Sequence, residues 1–519
     1  MQKQNWLQLF SLAAALALLL PALSLAAYPA EAPRTGQTKC YDAMGAEKSC
    51  SNTGQDGDWL AGVPWPEPRF TDYDNSTVTG TDNGTDNGTD NGTVPGTVTD
   101  NLTCLVWAQN ANLLGTIDKD NDTDSPAGDG MVTWQHALDY LKRLNRKKYL
   151  GHKDWRLPNI NELESLANAG AYNPSLPPLH PFLNVQPSSY WSSTSYAGYT
   201  NQAWDVRMYS GYSYNDYKTE KNYVWPVRAE QCRAGDNSTI CLPKTGQTMC
   251  YDSSGNTIAC AGTGQDGELR NGVDWPFLRF TCHFDDTVTD NLTGLVWAKN
   301  ANLLGTVDSD NDTDGASGDG LVTWQHALNY VAKLNKKRYL GFKDWRLPNR
   351  RELRSLVDFG QYEPSFPLWH PFLNVETGRY WSSTTHAEIT TVAWNVNLII
   401  GSVDTNNKME YFYVWPVRRG RHYNATTTTT ITSKTTTTTT ISDWLCPAQK
   451  VLGEDGPDLE NLRAFRDSTL AQSAVGRKVI EIYYNNTDSI NAALDRSPAL
   501  RAAARRLLEA VAPLLGRQE

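Results

Sequence analysis

The sequence predicts an α+β protein built from one module written twice, followed by a threonine-rich linker and a small all-α tail. Three observations carry this. The phrase GHKDWRLPNINELESL, Gly151 to Leu166, returns as GFKDWRLPNRRELRSL, Gly341 to Leu356, an offset of 190 (341 − 151). TGQTKCYD at Thr35 returns as TGQTMCYD at Thr245, an offset of 210, so the first copy carries 20 extra residues, the Thr-Asp-Asn-Gly tract of 80–99. Within each copy, helical periodicity is followed by short strands, the order expected of α+β. The divisions are 1–26 signal peptide, 27–230 first module, 231–420 second module, 421–443 linker and 444–519 helical segment. Each module fits the usual domain size of ~50–250 residues.

Each element follows from its residues. The start has one lysine, an apolar run from Leu7 to Leu20, Pro21 and then small residues. That is the pattern of a secretory signal peptide cleaved after Ala26 or Ala27. The run is short of the ~20 apolar residues a membrane span needs. The expected product is exported (secreted, periplasmic or at the cell surface), with no transmembrane segment once the signal is removed. In each module a hairpin, RFTDYD or RFTCHF and then LTCLVWA or LTGLVWA, precedes a helix. Trp134, Ala137, Leu138, Leu141 and Leu144 form one face of that helix, with Thr133 at its N-cap and His136 as a structural first-turn residue. The repeated phrase then supplies a turn and a second helix start. Asn159 with Glu162, and Asn349 with Glu352, have the spacing of a capping box. A proline-rich loop and the strands YWSST, AWDVRMY or AWNVNLI, and YVWPVR complete each copy. The 20-residue tract is too polar to bury anything and reads as a hairpin tip. The threonine run after Gly420 reads as an extended linker. The tail places Leu459, Leu462 and Phe465 on one stripe and Leu500, Leu507, Leu508, Val511 and Leu515 on another, a helical segment suited to an envelope partner.

Composition narrows the function classes. A formal net charge of −10 disfavours nucleic acid, which rewards basic patches. Nine cysteines suit an oxidising compartment. Cys40 with Cys50, and Cys250 with Cys260, bracket glycine-containing turns and read as cross-strand disulfides. Cys232 and Cys241 share the spacing style at the module junction. Cys104 and Cys282 each fall on a strand of the hairpin and can join the modules, which leaves Cys446 odd. Zinc is disfavoured because no paired Cys-x-x-Cys spacing occurs.

Two candidate sites stand out. Asp118, Asp120, Asp122, Asp124 and Asp129 occupy positions one, three, five, seven and twelve of a twelve-residue loop, and Asp308, Asp310, Asp312, Asp314 and Asp319 repeat this. The spacing approximates an EF-hand Ca²⁺ loop, although threonine replaces the turn glycine and aspartate the last glutamate. The bland alternative is a solvated acidic loop. The second candidate comes from divergence. The copies match closely from Val98 to Leu138 and separate between Thr194 and Tyr223. There the first offers Tyr196, Tyr199, Asn201, Asp205, Arg207, Tyr209, Tyr212, Tyr214 and Tyr217. The second offers His386, Ile389, Thr391, Asn395, Asn397, Ile399, Ser402, Asp404 and Asn407. Tyrosines and small polar groups on a fixed frame make adaptable binding faces, so the expectation is a different ligand for each module. Drift on an exposed loop is the competing explanation.

The ordered motifs Thr-Val-Thr-Asp-Asn-Leu-Thr, Trp-Gln-His-Ala, Asp-Trp-Arg-Leu-Pro-Asn, Tyr-Trp-Ser-Ser-Thr, Ala-Trp and Pro-Val-Arg resemble the Lcl C-terminal domain family in both modules. The resemblance implies a C-type-lectin-like fold, related to that of formylglycine-generating enzymes, and roles in surface binding and adhesion without catalysis. The diverged segment also looks like the variable region of lectin-fold proteins diversified by retroelements. The cysteine pair of formylglycine-generating enzymes is absent between Ser192 and Arg228 and between Ser382 and Arg418. The tail, from Cys446, is similar to C-terminal segments of exported bacterial proteins that open with a Cys-Phe-Ile box, here degenerate as Cys446-Pro447-Ala448. A secreted or surface protein binding protein or glycan is the first reading of function. A structural envelope spacer is the alternative and an enzyme a distant third.

Overall fold

The two Asn-Glu phrases fold as the helix starts they spell. The computed structural model describes residues 30–72, 96–124, 126–229, 240–276, 279–283, 285–368 and 370–419, together with Ala502 and Arg505. The signal segment, most of the Thr-Asp-Asn-Gly tract, the linker, the helical tail apart from those two residues, Cys232 and Cys446 lie outside them. Asn159 Oδ1 accepts from the Glu162 N–H (3.0 Å) and Glu162 Oε2 accepts from the Asn159 N–H (2.8 Å). Asn349 and Glu352 do the same. Two of the donors that every helix start leaves orphaned are thereby satisfied.

The first copy opens with an arm: strands β1 (Cys40–Tyr41) and β2 (Glu47–Lys48), then a short helix α1 (Asp56–Trp59). Strands β3 (Phe70–Asp72), β4 (Thr97–Asp100) and β5 (Leu105–Ala108) follow, then β6 (Val132–Thr133) and helices α2 (Trp134–Lys147) and α3 (Ile160–Ser165). The chain ends this copy with β7 (Ser189–Ser195), β8 (Gln202–Arg207), β9 (Tyr212–Tyr217), β10 (Lys221–Asn222) and β11 (Val227–Ala229). The second copy repeats the order: β12 (Cys250–Tyr251), β13 (Thr257–Ile258), α4 (Asp266–Leu269), β14 (Phe280–Cys282), β15 (Thr287–Asp290), β16 (Leu295–Ala298), α5 (Trp324–Lys337) and α6 (Arg350–Arg354). It closes with β17 (Arg379–Thr385), β18 (Val392–Asn397), β19 (Ser402–Asn407) and β20 (Val417–Arg419). The fold is mixed, mostly antiparallel and duplicated. No helix among the described residues is long and apolar enough to cross a membrane.

Helix α2 buries the predicted stripe, Trp134, Ala137, Leu138, Leu141 and Leu144, and Tyr140 with it. Thr133 stands at the N-cap, but its side chain makes no capping bond. Its backbone N–H instead donates to Asp124 Oδ2 (2.7 Å), which ties the aspartate loop to the helix start. Each module also has an aromatic centre. Trp225 packs edge-on against Phe182 (4.8 Å) and Trp107 (5.6 Å), and Trp415 repeats this with Phe372 and Trp297. Four-stranded sheets, β11-β5-β4-β3 and β14-β15-β16-β20, flank these centres.

The modules are not independent. Strands β7, β8 and β9 join β19, β18 and β17 in one six-stranded sheet, paired across the middle at Ser213 and Val403. These two residues are equivalent positions (403 − 213 = 190), so a pseudo-two-fold axis passes between them. Helices α3 and α6 meet close to this axis. Glu164 Oε1 accepts from Arg350 Nη2 (2.7 Å), Glu164 Oε2 lies 3.4 Å from Arg354 Nη1, and Arg350 Nη2 also donates to Gly211 O. Arg351 Nη2 reaches back to Ser165 O (3.1 Å). All four side chains are buried. Burial alone would raise the Glu164 carboxyl, but Arg354, Arg350 and Arg351 outweigh it and hold it below its usual range.

The arms are exchanged. At its base the first arm stays with its own copy, where the Ala169 N–H donates to Thr35 O. Its tip crosses to the second module. Asp56 Oδ2 accepts from Thr384 Oγ1 (2.7 Å) as well as from Thr35 Oγ1 (2.6 Å), and Gln37 Oε1 accepts from the Thr385 N–H (2.7 Å). Thr390 Oγ1 donates to Gly45 O and Lys408 Nζ to Asp42 O. The second arm returns the arrangement. Asp266 takes Thr245 and Thr194, Gln247 takes Ser195, Gly255 takes Thr200, and Lys218 Nζ donates to Tyr251 O and Asp252 O. Each arm is pinned by a disulfide, Cys40–Cys50 and Cys250–Cys260, as expected. Helix α1 can seat against its disulfide because residue 57 is glycine. A Cβ there would lie 3.0 Å from both sulfurs and 2.8 Å from Lys39 O.

Burial pushes Asp56 and Asp266 up to about 6 from 3.8, against the hydrogen bonds from their threonines. The folded state therefore holds more protons than the unfolded chain between about pH 4 and pH 6. The stability this contributes is complete below pH 4 and is lost as pH rises through 6. Asparagine keeps the accepting oxygen without the charge. Asp56→Asn with Asp266→Asn should match the wild type at pH 4 and exceed it at pH 8 by roughly 3 kcal/mol per site in urea unfolding. A difference that does not grow with pH would show that these carboxyls are not buried under the exchanged arms.

Candidate functional site

The diverged segments do not form one open face. Tyr196, Asp205, His386, Asn395, Asn397 and Ser402 are buried, and Asn201, Arg207, Tyr209, Tyr212, Tyr214, Thr391, Ile399 and Asp404 are partly so. Only Tyr199, Tyr217, Ile389 and Asn407 are exposed. The expected ligand face is corrected on this point, because many of its members hold the copies together. Tyr212 Oη shares a hydrogen bond with Thr405 Oγ1 (2.6 Å), and its ring lies 5.0 Å from Trp394 and stacks on His386. Tyr214 Oη donates to Asp404 Oδ2 (3.1 Å). Tyr196 meets Tyr362 of the other copy edge-on. Around a two-fold axis, equivalent positions face each other at close range, so a large residue on one side needs a small one on the other. Ser213 against Val403 is such a pair, and the neighbouring Tyr212 has the small Ser402 as its equivalent.

Several titratable groups are engaged in this interior. His386 is pushed down to about 4 by burial and by Arg350, which keeps its ring neutral beside Tyr212. Asp205 is pushed up to about 7 by burial and by Asp216. In the second copy the equivalent pair is Asn395 and Asn406, joined by a neutral hydrogen bond of 3.1 Å. Lys218 and Lys408 are drawn down to about 7 by burial. The indole faces of Trp134 and Trp324, 4.2 and 4.1 Å away, and the arm carbonyls favour their charged form. Sequence reasoning missed these lysines, which look like ordinary turn residues.

The two aspartate loops are closed largely by their own hydrogen bonds. Asp122 Oδ2 accepts from the N–H groups of Gly128 (2.8 Å) and Gly130 (2.9 Å), and Asp312 does the same with Gly318 and Gly320. Asp118 and Asp308 accept from Tyr140 and Tyr330. Asp124 and Asp314 meet His136 and His326, whose Nε2 atoms lie 2.8 Å from Asn121 O and Asn311 O. Asp129 and Asp319 cap Met131 and Leu321, while Asp120 and Asp310 lie in 3-10 turns. Among the described residues no three His, Cys, Asp or Glu side chains stand together to hold a metal.

A cleft of about 500 Å³ opens between the first arm and the second module. Its lining includes Arg34, Trp59, Asp344, Arg346, Glu352 and Arg419. Trp59 is 43% exposed at the end of α1. Arg346 and Glu352 form a bidentate pair in its wall, and Arg418, next to Arg419, holds Asp344 at 2.9 Å. At the equivalent place beside the first module, Leu269 replaces Trp59 and Ala229 replaces Arg419. The indole and the Arg419 guanidinium of this lining therefore have no counterpart at the equivalent place. Nothing local in the sequence marks it, because its two walls lie more than 200 residues apart.

Tyr212 tests the assignment of the diverged residues. Tyr212→Ala should lower the unfolding free energy by about 3 kcal/mol, as loss of a large packed aromatic does, while Tyr199→Ala leaves it unchanged. Unfolding of Tyr212→Ala at the wild-type urea concentration would remove the tyrosine from the junction.

The comparisons with known proteins fit the duplication. The Lcl C-terminal domain matches twice, at residues 96–228 and 286–418, which together span half of the chain. No curated protein and no solved structure matches. Both exchanged arms and the sheet-edge strands β3 and β14 fall outside the matched residues, whereas the strands from β4 and β15 onward and helices α2, α3, α5 and α6 fall within them. With both copies matched from β4 to β11 and from β15 to β20, the chain belongs to the Lcl C-terminal domain family.

Proposed function

We propose that this chain is a non-catalytic, exported surface protein that binds a protein or glycan partner, and that the partner seats in the cleft beside Trp59. The cleft itself carries the proposal: an exposed indole flanked by Arg34, Arg419 and Asp344, on a frame fixed by a disulfide and by a buried Arg346–Glu352 pair. An indole gives a large rigid contact area at low entropic cost, and the charged groups around it can orient a polar partner. Tyr199, Tyr217, Ile389 and Asn407 extend the partner-facing surface elsewhere.

The lack of catalysis is supported by what the candidate nucleophiles and acids already do. Ser192 Oγ donates to Trp204 O (2.7 Å) and Ser193 Oγ to Pro158 O (3.3 Å). Glu162 holds Arg156 and caps its helix. The two disulfides suit an oxidising compartment, which supports export. An envelope spacer is the second reading, favoured by the interlocked modules and pinned arms, which make a stiff unit.

Glycan and protein arrays probed with the whole chain separate the two. Trp59→Ala with Arg419→Ala should weaken array binding at least ~10-fold, the loss expected when a central contact is truncated, with the melting temperature unchanged. Full binding by a folded double variant would place the site elsewhere, and no binding by the wild type would favour the spacer.

A further inference from the structure

A second, smaller cavity of about 50 Å³ lies where the bases of the two arms meet α3 and α6. Its lining pairs equivalent positions of the two copies: Asn161 with Arg351, Glu164 with Arg354, and Ala32 and Pro33 with Leu242 and Pro243. It therefore sits on the pseudo-two-fold axis. Two copies with the same residues would carry the same charge on both sides. Here the second copy contributes Arg351, Arg354 and Lys244, and the first contributes Glu164 and Glu31.

The cationic side is in excess. Glu164 is the one fully buried carboxylate shared by Arg350, Arg351 and Arg354, and Oε1 and Oε2 are already committed to Arg350 and Arg354. With the half-buried Glu31 on the cavity wall, three guanidinium groups still face only two carboxylates. Arg354 is 7% exposed, lines the cavity, and its Nε has no hydrogen-bond partner in the protein. Arg351 is 6% exposed and spends Nη2 on the carbonyls of Ser165 and Ala167. Lys244 reaches the rim, where it pairs with the exposed Asp274. Buried guanidinium groups that outnumber their carboxylate are costly unless another anion neutralises them. A space of this size exceeds the ~10–15 Å³ that one water molecule needs. The guanidinium fork also matches the oxygen spacing of an oxyanion.

We infer that the cavity between the arm bases binds a small oxyanion, held by Arg351 and Arg354 and drawn in past Lys244. The class covers inorganic phosphate and a short carboxylate. The anion would complete the junction between the copies, so its binding would be read as added stability of the whole chain. This site is separate from the Trp59 cleft, and neither reading depends on the other.

The test uses the mature chain in phosphate, formate or chloride at equal ionic strength. Phosphate also stabilises proteins by exclusion from their surface, so the variants decide. At phosphate about 10-fold above half-saturation, the wild-type melting temperature should rise by about 2 °C. Titration calorimetry should show one phosphate per chain. Arg351→Gln should abolish the calorimetric signal and the extra shift. Lys244→Gln, at the rim, should weaken binding several-fold without altering the near-UV spectrum. Formate giving the signal without phosphate would assign the site to carboxylates within the same class. The inference is overturned if the wild type shows no saturable binding of either anion. It is also overturned if folded Arg351→Gln binds as the wild type does. Should Arg351→Gln not fold, unchanged affinity in Lys244→Gln overturns it in the same way.

Discussion

Glu164, buried beside Arg350, Arg351 and Arg354, is the constraint on which the rest of the arrangement depends. A buried charge is costly unless it is paired with good geometry. This one carboxylate is within reach of partners only if α3 and α6 lie against each other across the axis. With the helices so placed, Arg350 also reaches Gly211 O and covers the Trp394 ring at 3.7 Å. The strands beneath are then close enough to pair at Ser213 and Val403, which makes two three-stranded units one sheet. The exchanged arms close over the outside of that sheet, and their disulfides, buried carboxyls and lysines fix them there.

The asymmetry of the junction has a physical origin. In a self-complementary two-fold interface the same residue must serve on both sides. Two copies on one chain are free of that requirement. Positions 160, 161 and 164 read Ile, Asn and Glu, and their equivalents 350, 351 and 354 are all Arg. Tyr212 packs on His386 and Trp394 of the other copy, while its own equivalent is Ser402. Charge and volume have been divided between the halves, so the two modules fit each other better than either would fit itself. Surface function is then left to places where the halves differ outside the junction, such as Trp59 with Arg419 against Leu269 with Ala229.

Local features were legible. The capping boxes at Asn159 and Asn349, the stripe from Trp134 to Leu144 and the pairs Cys40–Cys50 and Cys250–Cys260 each depend on residues within one short stretch. The arm exchange was not legible, for a simple reason. Asp56 can satisfy itself with Thr194 or with Thr384, which are equivalent residues in near-identical text, so both pairings look the same from the sequence. The diverged tyrosines showed where the copies differ but not which side of the protein they occupy, and the junction took many of them. A clue was nevertheless present. A reversal from Glu164 to Arg354, on helices whose capping boxes predict the same structure, signals two surfaces that meet.

The exchange of arms is the central claim, and site-specific photo-crosslinking tests it most directly. Met44, 78% exposed at the tip of the first arm, precedes Gly45, whose carbonyl accepts from Thr390. A photo-reactive residue at position 44, in protein dilute enough to suppress crosslinks between chains, should give adducts that map by mass to the strand turn around Thr390 and to the neighbourhood of Lys408. Adducts around Thr200 and Lys218 instead would mean that each arm folds back on its own module, and would contradict the interlocked architecture.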